Sequence, residues 1–168
     1  TGLLVKKELS FLQNVFDQPE RPLLAIVGGA KVSTKIGVLN HLLETVDYLV
    51  IGGAMAFTFL KAQGYPVGKS LCENDKCDLA LSLLNKAITL NKSILLPLDL
   101  VVSTSLNNLD DITIVNADTI PENTMGLDIG PKTIEAIESL IKLSKTVLWN
   151  GPLGVFEIDA FSKGTCEV

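Results

Sequence analysis

Leu23-Leu24-Ala25-Ile26-Val27 runs without a polar interruption into Gly28-Gly29-Ala30-Lys31-Val32-Ser33-Thr34-Lys35. Pro22 bounds the apolar run on one side and a glycine pair on the other, which is how a strand buried on both faces looks in sequence. The residues that follow carry Ile36, Leu39, Leu42 and Leu43 at helical spacing, predicting a helix over 33–46. A strand, a tight turn of small residues and a helix thus follow in order. Such a turn lets a ligand approach the main chain, and the helix start offers unpaired N–H groups to an anion. Lys31 and Lys35 stand four apart, so on a helix they share a face, where two ammonium groups repel until an anion sits between them. On these residues alone, a phosphate-binding turn and a turn followed by two solvated lysines both remain open.

Working outward, the same grammar recurs. An apolar strand over 48–51 ends in Gly52-Gly53, and another over 146–149 ends in Asn150-Gly151-Pro152. Helices are expected over 3–16, 54–63, 74–91 and 131–143, the last entered through Gly130-Pro131, since proline suits a first helical position. Shorter strands are expected over 93–96 and 112–115, and a short helix near Ile158; 99–123 is otherwise less regular. Strands alternating with helices of this length argue for βαβ units in one α/β domain with a mainly parallel sheet. Ligands of such sheets sit at the carboxyl ends of the strands. Three strands ending in glycine place three backbone-exposed turns on one sheet edge.

Composition narrows the chemistry. The 168 residues are 47% hydrophobic but only 5% aromatic, so the core is mostly Leu, Ile, Val and Ala, as buried parallel strands require. Net charge is -5, which gives no global field for nucleic acid or an anionic membrane. The one arginine is Arg21, so anion binding must rest on lysines and backbone N–H groups rather than on guanidinium forks. Cys72, Cys77 and Cys166 lack zinc-ligand spacing, and an odd count fits reduced thiols in a cytoplasmic compartment. Residues 1–10 show no signal peptide, and no apolar run approaches the length of a membrane span, so the chain reads as soluble.

Familiar phosphate motifs fail on inspection. Gly64-Tyr65-Pro66-Val67-Gly68-Lys69-Ser70 has three residues between its glycines where a P-loop needs four, and it follows a helix. Gly151-Pro152-Leu153-Gly154 lacks the first Gly-x-Gly of the dinucleotide fingerprint. Within 149–157, Asn150 can bond a phosphate or ribose oxygen and Glu157 can accept from ribose hydroxyls. The same segment also reads as a tight turn with a core Trp149 and a Glu157 at a helix start. Asp99 interrupts an apolar tract and reads as a cap or a backbone acceptor in preference to a metal ligand. Residues 125–131 could wall an adenine pocket or form a loop, and His41 reads as a surface helix residue.

Taken together, Gly28-Gly29-Ala30-Lys31-Val32, Ile51-Gly52-Gly53-Ala54-Met55-Ala56-Phe57-Thr58-Phe59, Gly126-Leu127-Asp128-Ile129-Gly130-Pro131 and Trp149-Asn150-Gly151-Pro152, continued by Gly154-Val155-Phe156-Glu157, resemble the phosphoglycerate kinase family in order and spacing. The resemblance covers essentially the whole chain. It implies a Rossmann-like three-layer nucleotide-binding domain over 19–168, incomplete at its C-terminal end, preceded by an interdomain hinge helix over 1–18. The implied activity is reversible phosphoryl transfer between 1,3-bisphosphoglycerate and ADP, giving 3-phosphoglycerate and ATP in glycolysis. The alternative is a non-enzymatic nucleotide-binding module or degenerate fragment.

Carried over by position, Lys31 and Lys35 match lysines that contact the nucleotide phosphates and the transferring phosphoryl group. Gly29, Gly53, Ala54, Leu71, Gly126 and Leu127 match the adenosine pocket. Asn150 matches a phosphate-side contact, Pro152 and Val155 line the base and ribose region, and Glu157 matches the ribose acceptor. Ala54 departs from the family, many of whose members carry a third glycine there. The family's Gly-Gly-Gly-Asp-Thr loop, whose Asp holds the magnesium nucleotide, would lie beyond Val168, and the basic phosphoglycerate domain before Thr1. The resemblance therefore implies ADP or ATP with Mg as ligand, no metal ligand within this chain, a monomeric cytoplasmic enzyme when intact, and no activity from these residues alone.

Overall fold

The computed structural model describes residues 19–168. The helix expected over 3–16 and the hinge assigned to 1–18 lie outside the described residues.

β1 (Leu23–Val27), β2 (Tyr48–Ile51), β3 (Ser93–Leu95) and β7 (Thr146–Asn150) form a four-stranded sheet in the order β3-β2-β1-β7. Every pairing in it is parallel. β1 is buried along its whole length because helices cover both faces. Its odd residues Leu23, Ala25 and Val27 pack with Leu39 and Leu43 of α1 (Val32–Thr45), Phe59 of α2 (Ala56–Ala62) and Leu83 of α3 (Cys77–Thr89). Its even residues Leu24 and Ile26 pack with Ile134 and Ile137 of α4 (Pro131–Leu143). The strand's two-residue period thus feeds two cores, giving the three-layer α/β arrangement that an uninterrupted apolar run implies.

A second sheet was not expected from the sequence. β4 (Asp99–Ser103) lies between β5 (Thr113–Asn116) and β6 (Met125–Ile129), and both pairings are antiparallel. Leu100 and Val102 of β4 join Phe57 and Leu60 of α2 in a third core, which docks the small sheet beside the large one. The expected helix over 74–91 is a single tight turn, Asn74–Lys76, running into α3. Near Ile158 the chain forms the turn Asp159–Phe161 and α5 (Lys163–Cys166).

Strand order locates the site. From β1 the chain moves to β2 and β3 on one side, and β7 later fills the other side of β1. The direction of winding therefore reverses between β1 and β7, and such a reversal opens a crevice at the carboxyl ends of its strands. Here those ends are Gly28-Gly29 and Asn150-Gly151.

Candidate functional site

The three glycine turns expected on one edge interlock there. Gly28 N donates to Asn150 O at 2.8 Å, Gly52 N to Val27 O at 2.9 Å, Gly53 N to Leu153 O at 3.1 Å and Met55 N to Gly29 O at 3.0 Å. Side chains are excluded at two of these contacts. Gly53 has φ +66, and a Cβ on it would lie 2.5 Å from Gly29 N; Gly151 has φ +90, and its Cβ would lie 2.6 Å from Gly28 O. Both positions combine a left-handed backbone with a contact that no Cβ can share.

Beside this knot lies a cleft of about 320 Å³, within the range of small-ligand sites. Gly29, Gly53, Ala54 and Leu71 line it from the parallel sheet and its loops, Gly126 and Leu127 from β6, and Pro152, Val155 and Glu157 from the turn after β7. Val155 N donates to Leu127 O at 2.8 Å, tying the β7 turn to β6 across the cleft. Sequence reasoning missed Phe57, Pro97 and Leu100 as lining residues. Phe57 stands inside a quoted motif, and its signal was Gly126: a Cβ there would lie 2.2 Å from the Phe57 ring. Pro97 and Leu100 arrive with the unexpected sheet and had no local signal.

Lys31, Lys35 and Asn150 do not line this cleft. Lys35 Nζ donates to Asn150 Oδ1, and the two residues share a neighbouring cavity of about 260 Å³ with Val38, Leu148 and Trp149. Lys35 still borders the cleft through Gly29, since a Cβ there would be 3.9 Å from Lys35 Cε. Lys31 is exposed and occupies the N-cap of α1 in extended conformation. It therefore stands just outside the helix, and the expected shared helical face with Lys35 does not form. Of the N–H groups at this helix start, that of Ser33 is already occupied, donating to Glu73 Oε2 at 3.0 Å.

Asp99 is 1% exposed and caps α4: Oδ2 accepts from Lys132 N at 3.0 Å, and Oδ1 from Thr133 N at 2.9 Å and Thr133 Oγ1 at 2.7 Å. Asp128 is 2% exposed and accepts from Ile129 N at 2.9 Å and Gly164 N at 2.8 Å. Burial raises its pKa to about 6, against those two N–H groups. Trp149 is 40% exposed and donates Nε1–H to Gly151 O at 2.8 Å, so it is not the core tryptophan of the alternative reading. Glu157 lies ahead of the Asp159 turn and starts no helix. His41 is exposed on α1. Arg21 pairs with Asp47 at 2.7 Å, and Asp47 Oδ2 in turn accepts from Leu23 N at the start of β1, the end opposite the glycine turns.

A family model described as phosphoglycerate kinase matches residues 1–168. The phosphoglycerate kinase of Finegoldia magna is 53% identical over 167 residues, an alignment covering 99% of this chain and 42% of that protein. The cytosolic phosphoglycerate kinase of Crithidia fasciculata is 52% identical over 167 residues, covering 99% and 40%. The solved structure of phosphoglycerate kinase from Coxiella burnetii superposes with a TM-score of 0.94 at 46% identity, covering 97% of this chain and 42% of that one. The chain thus spans only two fifths or so of the length of the relatives it matches.

Proposed function

This chain belongs to the phosphoglycerate kinase family, and from that premise we propose that it is the nucleotide-binding part of an enzyme moving a phosphoryl group reversibly between 1,3-bisphosphoglycerate and ADP. Residues 19–168 make up the nucleotide domain and 1–18 the hinge toward a phosphoglycerate-binding domain in the rest of the protein. The intact enzyme is a cytoplasmic monomer, and these residues alone turn nothing over.

The observation carrying this reading is the joint at the switch point, where Lys35 and Asn150 meet beside a cleft that is apolar at one end and backbone-lined at the other. The base lies between Gly126, Leu127, Val155 and Phe57, where small residues and one aromatic ring suit a flat ligand. Leu71 and Pro152 close the sides of the adenosine pocket, and Glu157 accepts from the ribose hydroxyls. Gly53 and Ala54 continue the adenosine pocket toward Gly29, where the missing side chain permits close backbone approach to the phosphates. Lys35 and Lys31 supply positive charge where the phosphoryl group is in flight. In the forward direction the bond from phosphorus to the acyl oxygen breaks while the terminal phosphate oxygen of ADP bonds to phosphorus. 3-Phosphoglycerate leaves as the carboxylate. Such a transfer asks for positioning and charge stabilisation, without a covalent nucleophile.

In the family, magnesium accompanies the nucleotide. Among the described residues no group of three His, Cys, Asp or Glu side chains converges, and Asp99 and Asp128 use their oxygens on backbone N–H groups.

The test is an assay of the full-length protein for ATP formation from 1,3-bisphosphoglycerate and ADP, with the 168-residue chain in parallel. Turnover by the former and none by the latter is expected. Turnover by the short chain alone overturns the division of labour. ADP binding without turnover in the full-length protein identifies a non-enzymatic nucleotide module instead.

A further inference from the structure

Helix α1 starts badly by its own sequence. Its N-cap is Lys31, it has no side-chain cap bond, and its first turn holds no acidic residue. Lysine at the positive end of a helix works against the macrodipole, and here both Lys31 and Lys35 sit within a turn of that end. The missing acid comes from 40 residues away. Glu73 Oε2 accepts from Ser33 N at 3.0 Å, and Oε1 accepts from Ser33 Oγ at 2.5 Å. The Ser33 hydroxyl first, then the Ser33 and Val32 N–H groups, hold the Glu73 carboxyl below its ordinary pKa. Glu73 is itself anchored, because its backbone N–H donates at 3.1 Å to Oγ1 of Thr58, a residue of α2 only 1% exposed. Two residues earlier in the same strap, Leu71 lines the cleft.

Resting on the kinase reading, we propose that Glu73 is a positioning residue for phosphoryl transfer: it caps α1 in trans and so fixes the Lys31–Lys35 turn relative to the cleft. The lysines are required at this helix start by chemistry and disfavoured there by electrostatics. A carboxylate carried on a separate strap reconciles the two without placing an acid inside the phosphate turn. The strap also joins the apolar wall, at Leu71, to the cationic turn, at Ser33. Removing the carboxylate lets the first turn of α1 fray, and Lys35 loses a fixed stem from which to reach its target.

The test uses Glu73→Ala and Glu73→Gln in the full-length protein. A trans cap of ordinary strength predicts that Glu73→Ala lowers kcat about tenfold and weakens ADP several-fold while leaving adenosine within about twofold. Glu73→Gln keeps an acceptor for Ser33 N and stays within about threefold of the parent in kcat. Hydrogen exchange at the Ser33 amide accelerates about tenfold in Glu73→Ala, a readout that needs no nucleotide. Unchanged exchange at Ser33 overturns the clamp. Equal weakening of adenosine and ADP reduces Glu73 to a general structural residue, and tighter ADP binding by Glu73→Gln shows that its charge only repels phosphate. A parent without turnover whose Ser33 exchange still responds speaks against the kinase reading and for the clamp. A parent with turnover that Glu73→Ala leaves intact speaks the other way.

Discussion

The two sheets meet at one cleft but are built on opposite terms. The four-stranded sheet is parallel and helix-covered, and β1 carries five consecutive buried apolar residues. The three-stranded sheet is antiparallel, exposes Ile114 to 58%, and buries carboxylates at Asp99 and Asp128. The first takes its stability from apolar area and leaves its strand ends free for glycine turns and lysines. The second takes part of its stability from buried polar clamps that fasten other elements to it: α4 through Asp99, and the Gly164 segment through Asp128. The cleft lies between the two, lined by Gly29 and Gly53 from the parallel sheet's turns and by Gly126 and Leu127 from β6, with Lys35 in the neighbouring cavity.

The sharpest way to break this contrast is to remove the clamp at Asp99. Asp99→Ala orphans the buried N–H of Thr133 and the partly buried N–H of Lys132, and it strips the Thr133 hydroxyl of a partner. Each unsatisfied buried donor costs about 1–3 kcal/mol, so a loss of roughly 3–5 kcal/mol is expected in urea denaturation of the full-length protein. Asp99→Asn keeps one acceptor oxygen and should cost markedly less. A loss under about 1 kcal/mol for the alanine variant would mean that the small sheet does not depend on its polar clamp.

On the parallel side the expected cost is in rate. Lys35→Ala in the full-length protein should lower kcat about 10²–10³-fold, the scale for losing one preorganised group that stabilises transition-state charge. ADP affinity should change much less, because the ammonium is needed most while the phosphoryl group is between partners. Isothermal titration beside steady-state kinetics separates the two. Equal loss in binding with unchanged kcat would make Lys35 a ground-state contact.

The same contrast explains which parts could be read from sequence. β1, β2 and β7 are legible because a strand buried on both faces, or ending in a glycine turn, leaves an unbroken apolar signature. β4 and β6 are not, since Asp99, Ser103, Gly126 and Asp128 are poor strand formers and their reasons lie far along the chain. The partner of Asp99 is 34 residues away and the Gly164 N–H that reaches Asp128 is 36 away. The glycine turns revealed where the cleft would be, because topology brings strand ends together. Phe57, Pro97 and Glu73 stayed hidden, because they reach the site through tertiary packing. Lys31 stands at the N-cap, just ahead of a helix that begins at Val32, so the four-residue spacing to Lys35 does not put both side chains on one helical face.

Asp128 offers the finest test of the polar half, because its charge can be switched without mutation. Burial raises its pKa from 3.8 to about 6, the charge of Glu167 adds a little, and the Gly164 and Ile129 N–H groups oppose the shift. Between these two values the folded chain binds more protons at this site than the unfolded chain does. Stability from this group is therefore full below about pH 4 and is lost as pH rises through about 6. A shift of roughly two pKa units corresponds to about 2–3 kcal/mol. Glu44, Glu73, Asp75 and Asp111 have lowered values and act in the opposite direction at lower pH, so the total curve does not isolate Asp128. The difference between parent and Asp128→Asn does, since the amide cannot titrate. Their stabilities should diverge between pH 4 and pH 7, with the parent losing more as pH rises, by about 2 kcal/mol. Parallel curves would show that the Asp128 carboxylate is solvated well enough to titrate as in the unfolded chain. The Gly154 and Gly164 backbones argue against that, because a Cβ on either would lie 2.1 Å or 2.3 Å from Asp128 Oδ1. Their missing side chains let the main chain close over this carboxylate and shut water out.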